Sequence, residues 1–147
     1  MKSIFFITLL AIGTISCETE NVEPKTVDLE KFTIQVPGTW NASKLQGFDS
    51  FVGEIKINDK EKITFDLGWY SNELKVDPTT HDIDFMTIDN KRAKIVKPKN
   101  LGQGTTGVYF DSLETTKTNK FHMSGTGLIS ENQKLLLTAI ESLKFKN

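Results

Sequence analysis

Two histidines are the side chains of this sequence best suited to metal or acid–base chemistry. Residues 81–84 read His-Asp-Ile-Asp, which places one imidazole and two carboxylates within four positions. Ligands of these types hold zinc or calcium ions. No second cluster of such ligands accompanies them, so the sequence predicts exposed loop residues before a strand. We expect no metal site and no other cofactor.

The second histidine, His122, lies between Phe121 and Met123 in an alternating segment. Its side chain therefore faces away from theirs and shares a face with Ser124. A serine beside a histidine is a component of nucleophilic hydrolase sites. The Gly-x-Ser-x-Gly turn that exposes a hydrolase serine is absent from the sequence. We predict no catalytic residue and no enzymatic activity.

Aromatic, acidic and hydroxyl side chains gather in two neighbouring segments. Asp49 and Ser50 open one, Asp66 lies in the next, and Trp69 and Tyr70 follow it. If the segments form one hairpin, these groups meet near its open end, where they suit a sugar, a peptide or a cation. We predict a binding surface there. The structural alternative is that one ring packs in the core and the other covers the sheet edge.

The period of apolar residues predicts the elements that position these side chains. Alternation indicates strands, and Asn- and Asp-rich turns join the second to the third and the fourth to the fifth. The strands are predicted at residues 32–36, 48–57, 63–69, 85–88, 93–96, 107–113 and 120–128. Trp40 is expected in a turn or short helix that covers one end of the core.

The C-terminal segment changes to a helical period. Ser130 and Gln133 have the spacing of a capping box, and apolar residues then recur at helical spacing up to Leu143. Residues 142–146 are predicted as a last short strand. The expected fold is α+β, with a mostly antiparallel sheet of about seven strands and a C-terminal helix.

The N-terminus resembles a bacterial lipoprotein signal peptide. Lys2 precedes an uncharged apolar run over residues 4–15, which is too short to span a hydrocarbon core of about 30 Å. Residues 14–17 then read Thr-Ile-Ser-Cys and resemble a lipobox, with Thr14 where Leu is commoner. The resemblance implies cleavage before Cys17, the single cysteine of the chain, and attachment of lipid to it.

The predicted organisation is a signal peptide at residues 1–16, an acylated cysteine with a flexible tether at 17–29, and a globular domain at 30–147. Residues 18–29, fully extended, would reach about 40 Å. Their acidic composition resembles surface-export signals of Bacteroidetes lipoproteins, and a plain solvated linker is the alternative. The expected location is the outer membrane of the cell envelope, on its periplasmic or surface face.

Charge and cysteine content exclude several classes of function. The formal net charge is −1, and loss of Lys2 with residues 1–16 leaves −2. Such a balance offers no electrostatic footprint for nucleic acid and no polybasic patch for anionic lipid. One cysteine cannot form an intrachain disulfide. The remaining composition is that of an ordinary globular domain.

A family resemblance covers the two ends of the domain. Residues 32–40 look like the opening of PsbP-like αβα-sandwich domains, a strand followed by Pro, two residues and Trp, and residues 136–145 are similar to their last helix and strand. Residues 47–53 and 65–71 look like segments of a group of Bacteroidetes lipoproteins. The resemblance implies a protein that binds or assists a partner rather than one that catalyses a reaction.

Three functions follow from these observations. The leading one is a membrane-anchored accessory or binding module of the cell envelope, whose partner is an envelope protein or a small molecule. A periplasmic inhibitor or immunity protein is an alternative that predicts a protruding acidic loop. A small hydrolase is another, and it requires His122 and a serine to meet in a pocket.

Overall fold

A computed structural model describes residues 23–114 and 119–146. Within these ranges the chain forms mostly antiparallel sheet with one C-terminal helix, so the predicted α+β class is confirmed. The signal peptide, Cys17 and the first part of the tether lie outside the described residues. The elements are β1 (Pro24–Asp28), β2 (Phe32–Pro37), β3 (Asn41–Leu45), β4 (Phe51–Lys56), β5 (Lys62–Gly68), β6 (His81–Ile88), β7 (Lys91–Pro98), β8 (Thr105–Phe110), β9 (Lys120–Thr126), α1 (Ser130–Glu141) and β10 (Lys144–Phe145).

Among the described residues, the larger sheet has seven strands in the order β3-β4-β5-β9-β8-β7-β6. Both predicted hairpins, β4–β5 and β6–β7, are confirmed. The second turns at Asp89 and Asn90, which adopt positive φ angles of 49° and 59°. Asp and Asn tolerate this conformation, which two-residue hairpin turns of type I′ require.

The smaller sheet has the order β1-β2-β10 in the described part of the chain and corrects the predicted domain boundary. Residues 24–28 were expected in the flexible tether, yet β1 pairs with β2 from Pro24 opposite Pro37 to Asp28 opposite Thr33. Val27 also packs against the core. Pairing with β2 orders this polar segment despite its weak hydrophobic pattern, so the folded domain begins before residue 30.

The turn expected around Trp40 is confirmed, since the Trp40 N–H donates a hydrogen bond to the Pro37 carbonyl oxygen at 2.9 Å. The strand that follows this turn was not predicted. Trp40 itself is buried, as expected, but residues Asn41–Leu45 form β3 at one edge of the larger sheet. An edge strand that is exposed over most of its length needs no apolar alternation, and its sequence Asn-Ala-Ser-Lys-Leu shows none.

The core lies between the larger sheet and a second layer formed by α1 and the smaller sheet. Phe32 of β2 is fully buried. Its ring centroid lies 5.2 Å from that of Phe65 and 5.0 Å from that of Phe121, both in edge-to-face contact. Phe51 and Phe145 complete the group around Phe32, which we call the ring cluster. These rings join the two sheets.

The helix begins at Ser130, as predicted, but without the predicted capping box. Ile129 occupies the N-cap position, and no side chain of its own caps the helix. Glu61 of the β4–β5 turn instead accepts hydrogen bonds from the Ile129 N–H at 2.7 Å and from the Asn132 side chain at 2.8 Å. The side-chain Oε1 of Gln133 accepts a hydrogen bond from the Gly102 N–H at 2.9 Å, which commits this side chain to a neighbouring loop instead of the cap.

Residues 69–80, here called the crossing segment, connect β5 to β6 at the far edge of the larger sheet. The segment lies over the sheet face opposite α1, where Leu74 packs with Val96 and Tyr109. Lys94 fixes it by donating hydrogen bonds to the carbonyl oxygens of Glu73 at 2.8 Å and Leu74 at 3.0 Å. This face is called the outer face below.

Replacing Phe32 with alanine should lower the free energy of unfolding by about 3–5 kcal/mol, because it removes a fully buried ring between the two sheets. Urea denaturation followed by circular dichroism measures this loss. Phe48→Ala is the matched control, since that side chain is fully exposed, and should change stability by less than about 0.5 kcal/mol. Similar losses in both variants would show that the ring cluster does not hold the sheets together.

Candidate functional site

A groove of about 790 Å³ opens at the end of the larger sheet where β4 begins and β5 ends. Its floor is apolar and consists of the half-buried side chains of Phe51, Leu67 and Phe145. Phe48 and Trp69 stand at its rim, and the Trp69 side chain is 59% exposed while that of Phe48 is fully exposed. We call this cavity the end groove. The rest of its lining is largely polar, so the end groove is a concave surface that offers both apolar and polar groups. Binding sites are concave and combine such groups.

The structure brings part of the predicted binding surface together. Asp49, Ser50 and Trp69 line the end groove. Tyr70 is 81% exposed beside it but does not line it, and Asp66 points to the outer face of β5. The structural alternative for the two aromatic residues is wrong, because neither Trp69 nor Tyr70 is packed in the core.

Phe48 and the wall lysines are groove residues that the sequence did not predict. Phe48 was expected inside a strand, whereas β4 begins at Phe51 and leaves the ring in a loop. Gly47 before it and Asp49-Ser50 after it are turn-forming residues, a signal that indicates a loop. The wall lysines are Lys44, Lys91 and Lys146, which lie far apart in the sequence and carry no local pattern.

The wall lysines are held by carboxylates. Lys44 lies 2.9 Å from Glu30, with its ammonium 5.1 Å from the centre of the Phe51 ring. Lys146 lies 2.6 Å from Asp28. Hydrogen bonds from these lysines lower the pKa of Glu30 and of Asp28 below their ordinary values. Because these positive charges are matched, the walls do not concentrate charge of one sign.

Lys91 repeats this arrangement on the opposite wall. Its ammonium lies 3.7 Å from Asp89 and 5.5 Å from the centre of the Phe145 ring. Asp89 also accepts a hydrogen bond from the Phe145 N–H at 2.8 Å, so one carboxylate connects the β6–β7 turn to the smaller sheet. Lysine stems beside aromatic rings leave an amphipathic surface that suits an uncharged or mixed ligand better than a highly charged one.

A second polar cluster lies on the outer face. His122 Nε2 and Ser124 Oγ are 2.9 Å apart, and Asp66 is the cross-strand neighbour of His122. Within the described residues, Asp66 Oδ1 and His122 Nδ1 are buried without a hydrogen-bond partner. The Ser71 hydroxyl donates to the Asp66 carbonyl oxygen at 3.0 Å and holds the crossing segment above the cluster.

This cluster lacks the features of a hydrolase site. A catalytic triad needs a carboxylate that accepts a hydrogen bond from His Nδ1, and Asp66 does not do so. Ser124 lies within the ladder of β9, tightly against Gly107 of β8. Neither Ser124 nor His122 lines the end groove. The Ser–His distance alone therefore gives little support for hydrolysis.

The segment beginning at His81 is the first half of β6, so the expectation of a loop there is wrong. Residues 81–84 pair with Pro98 to Ile95 of β7, which orders them as strand. Both ring nitrogens of His81 are engaged, Nδ1 with Thr80 Oγ1 at 2.9 Å and Nε2 with the Thr105 N–H at 3.1 Å. No group of three or more metal-ligating side chains occurs among residues 23–114 and 119–146.

No helix in the described ranges is long and apolar enough to cross a membrane. No protein-family model matches the chain. No curated protein shows significant similarity to it.

Acidification should destabilise the fold through His122. Burial lowers the pKa of this imidazole below 6.5, although the charge of Asp66 acts in the opposite direction. The unfolded chain then binds more protons than the folded one below about pH 6.5, so the free energy of unfolding falls as pH falls through that value. Urea denaturation at pH 8 and pH 5 should therefore show a larger loss for the wild type than for His122→Gln.

The carboxylates that also titrate in acid are common to both proteins, so the comparison isolates His122. Ser124→Ala is a useful second variant, because it removes the hydrogen-bond partner and keeps the imidazole. It should retain most of the pH dependence of the wild type. Equal losses in the wild type and His122→Gln would show that the imidazole is not held neutral by burial.

Proposed function

We propose that this protein is a lipid-anchored lipoprotein of the bacterial cell envelope, with a non-catalytic domain that binds a partner at the end groove. The observation that carries the proposal is the exposure of two large aromatic side chains, Phe48 and Trp69, beside an apolar floor. Exposed aromatic residues on a concave surface are typical of recognition sites. Strand residues such as Leu67 and the loop at residues 46–50 both line the groove, and Phe51 of its floor belongs to the ring cluster.

The anchor is proposed from the sequence of the N-terminus. A single basic residue, a short apolar run and Ser16 before Cys17 support cleavage and acylation at that cysteine. Six residues separate Cys17 from Pro24, where β1 begins, and they reach at most about 24 Å between these two positions. The maximum distance between the lipid anchor and the domain would therefore be shorter than with a tether that extends to residue 29.

The direction of β1 supports an orientation for the groove. Pro24 pairs with Pro37 at one end of the smaller sheet, whereas Glu30 and Lys31, just beyond the other end of β1, line the end groove. A five-residue strand separates these ends by about 15 Å. An anchor before Pro24 would thus leave the groove at the end of the domain directed away from the bilayer.

The PsbP-like relationship belongs to the same proposal. Its support is the order of elements at the two ends, where β2 ends at Pro37 and leads to the buried Trp40, and α1 is followed by the short strand β10. The inhibitor or immunity alternative predicted a protruding acidic loop. The loop at residues 46–50 carries one carboxylate, Asp49, beside a fully exposed ring, which favours a general binding surface instead.

The test is capture of partners by chemical crosslinking of the intact lipoprotein in its native envelope. Phe48→Ala combined with Trp69→Ala should reduce recovery of the specific partner at least about 30-fold, since loss of large aromatic contacts that a partner covers commonly costs about 2 kcal/mol or more. The wild type and a control, Ile129→Ala combined with Leu135→Ala, should recover it equally. Both control residues are exposed and lie outside the groove.

Denaturation midpoints of all three proteins should agree, because none of the substituted side chains is buried. Equal recovery of every partner by the groove variant and the wild type would contradict the proposed binding surface. Loss of capture in the control variant would place the contact at the helix end of the domain instead.

A further inference from the structure

β6 is the last strand of the larger sheet, and among the described residues no strand pairs with its free edge. The strand is eight residues long, and every residue from His81 to Thr87 is half-buried or exposed. An edge strand of this length presents alternate N–H and C=O groups that another extended chain can pair with. The edge is separate from the end groove, which the residues of β6 do not line.

The two edges of the sheet differ in how they are protected. β3, at the opposite edge, is five residues long and carries Lys44, and both short length and lysine discourage strand addition. β6 contains neither lysine nor proline. It exposes Ile83 by 38%, Phe85 by 57% and Met86 by 37%. The charged side chains of β6 are instead two exposed aspartates, Asp82 and Asp84, which discourage neutral or acidic strands and leave this edge open to a basic one.

We propose that β6 is a docking edge for an extended segment of another protein, in which apolar residues alternate with lysine or arginine. Side chains of an added strand lie on the same face as the residues they oppose. On the outer face they would meet Ile83 and Phe85, which favour apolar partners. On the other face they would meet Asp82 and Asp84, which favour basic ones.

The charges beside β6 support a basic partner. Lys97 lies 3.1 Å from Asp84 in an exposed ion pair, and Asp82 has no ion pair in the described part of the chain. The negative charge of Asp82 is therefore available to a basic side chain on the face opposite the outer face. On the outer face, the Arg92 guanidinium lies 4.2 Å from the centre of the Phe85 ring and holds that ring in place for an incoming apolar side chain.

A second copy of this chain fits the edge poorly. Two β6 strands related by a twofold axis normal to the sheet pair residues that share a face. If the twofold axis passes beside residue 82, 83 or 84, an aspartate of one copy lies opposite an aspartate of the other, and like charges in this position are destabilising. If the axis passes beside residue 85, the two carboxylates lie opposite Met86 and Ile88, and neither can match a charge.

The test uses two acetylated and amidated eight-residue peptides, one alternating valine with lysine and one alternating valine with glutamate. Each is added at millimolar concentration to the full chain in detergent, and amide hydrogen exchange is followed by NMR. The valine–lysine peptide should slow exchange about tenfold at alternate amides of β6. The valine–glutamate peptide should leave exchange in β6 unchanged.

Phe85→Lys should abolish this protection, because it places a charge in the apolar row that the added strand would cover. Ser43→Lys, a matched change on the edge strand β3, should keep it. Absence of protection in β6, or equal protection by both peptides, would overturn the proposal. Protection of β6 without peptide, together with a concentration-dependent dimer in sedimentation, would overturn it in favour of a second copy.

Discussion

The contact of Phe32 with rings from both sheets is the interaction on which the rest of this structure depends. The side chain enters from β2 and meets Phe65 and Phe121 of the larger sheet at centroid distances near 5 Å. Phe51 and Phe145 surround the same ring and are only partly buried. Their remaining surface is the floor of the end groove, so the packing that joins the two sheets also shapes the candidate binding site.

Local patterns predicted the parts of the fold that form between neighbours in sequence. Alternation over residues 63–69 identified the strand β5, whose Ile63 and Phe65 are buried, and turn residues identified both hairpins. Contacts between residues far apart in the sequence could not be predicted, because neither partner carries a local pattern that indicates the contact. β1 is polar and is ordered by β2, while the helix is capped by Glu61, 68 positions away from Ile129, instead of by its own Ser130.

The candidate site was likewise predicted only for residues whose positions follow from local sequence patterns. Asp49, Ser50 and Trp69 were identified because they flank one hairpin, and the structure places them on one groove. Asp66 was misplaced because strand alternation directs it to the outer face, where it neighbours His122. The wall lysines could not be predicted, since the pairing of Lys44 with Glu30 depends on how β3 and the smaller sheet meet in space.

The orientation of the groove relative to the proposed lipid anchor can be measured directly. Cys17 is the single cysteine and would be blocked by lipid, so a cysteine introduced by Phe48→Cys or Asp59→Cys can be labelled selectively with a fluorescent donor. With acceptor lipids in vesicles, we predict stronger energy transfer from position 59, in the turn at the end where the proposed anchor would join the domain, than from position 48 at the groove. Stronger transfer from position 48, or no transfer from either, would contradict a lipid-anchored domain that presents its groove away from the membrane.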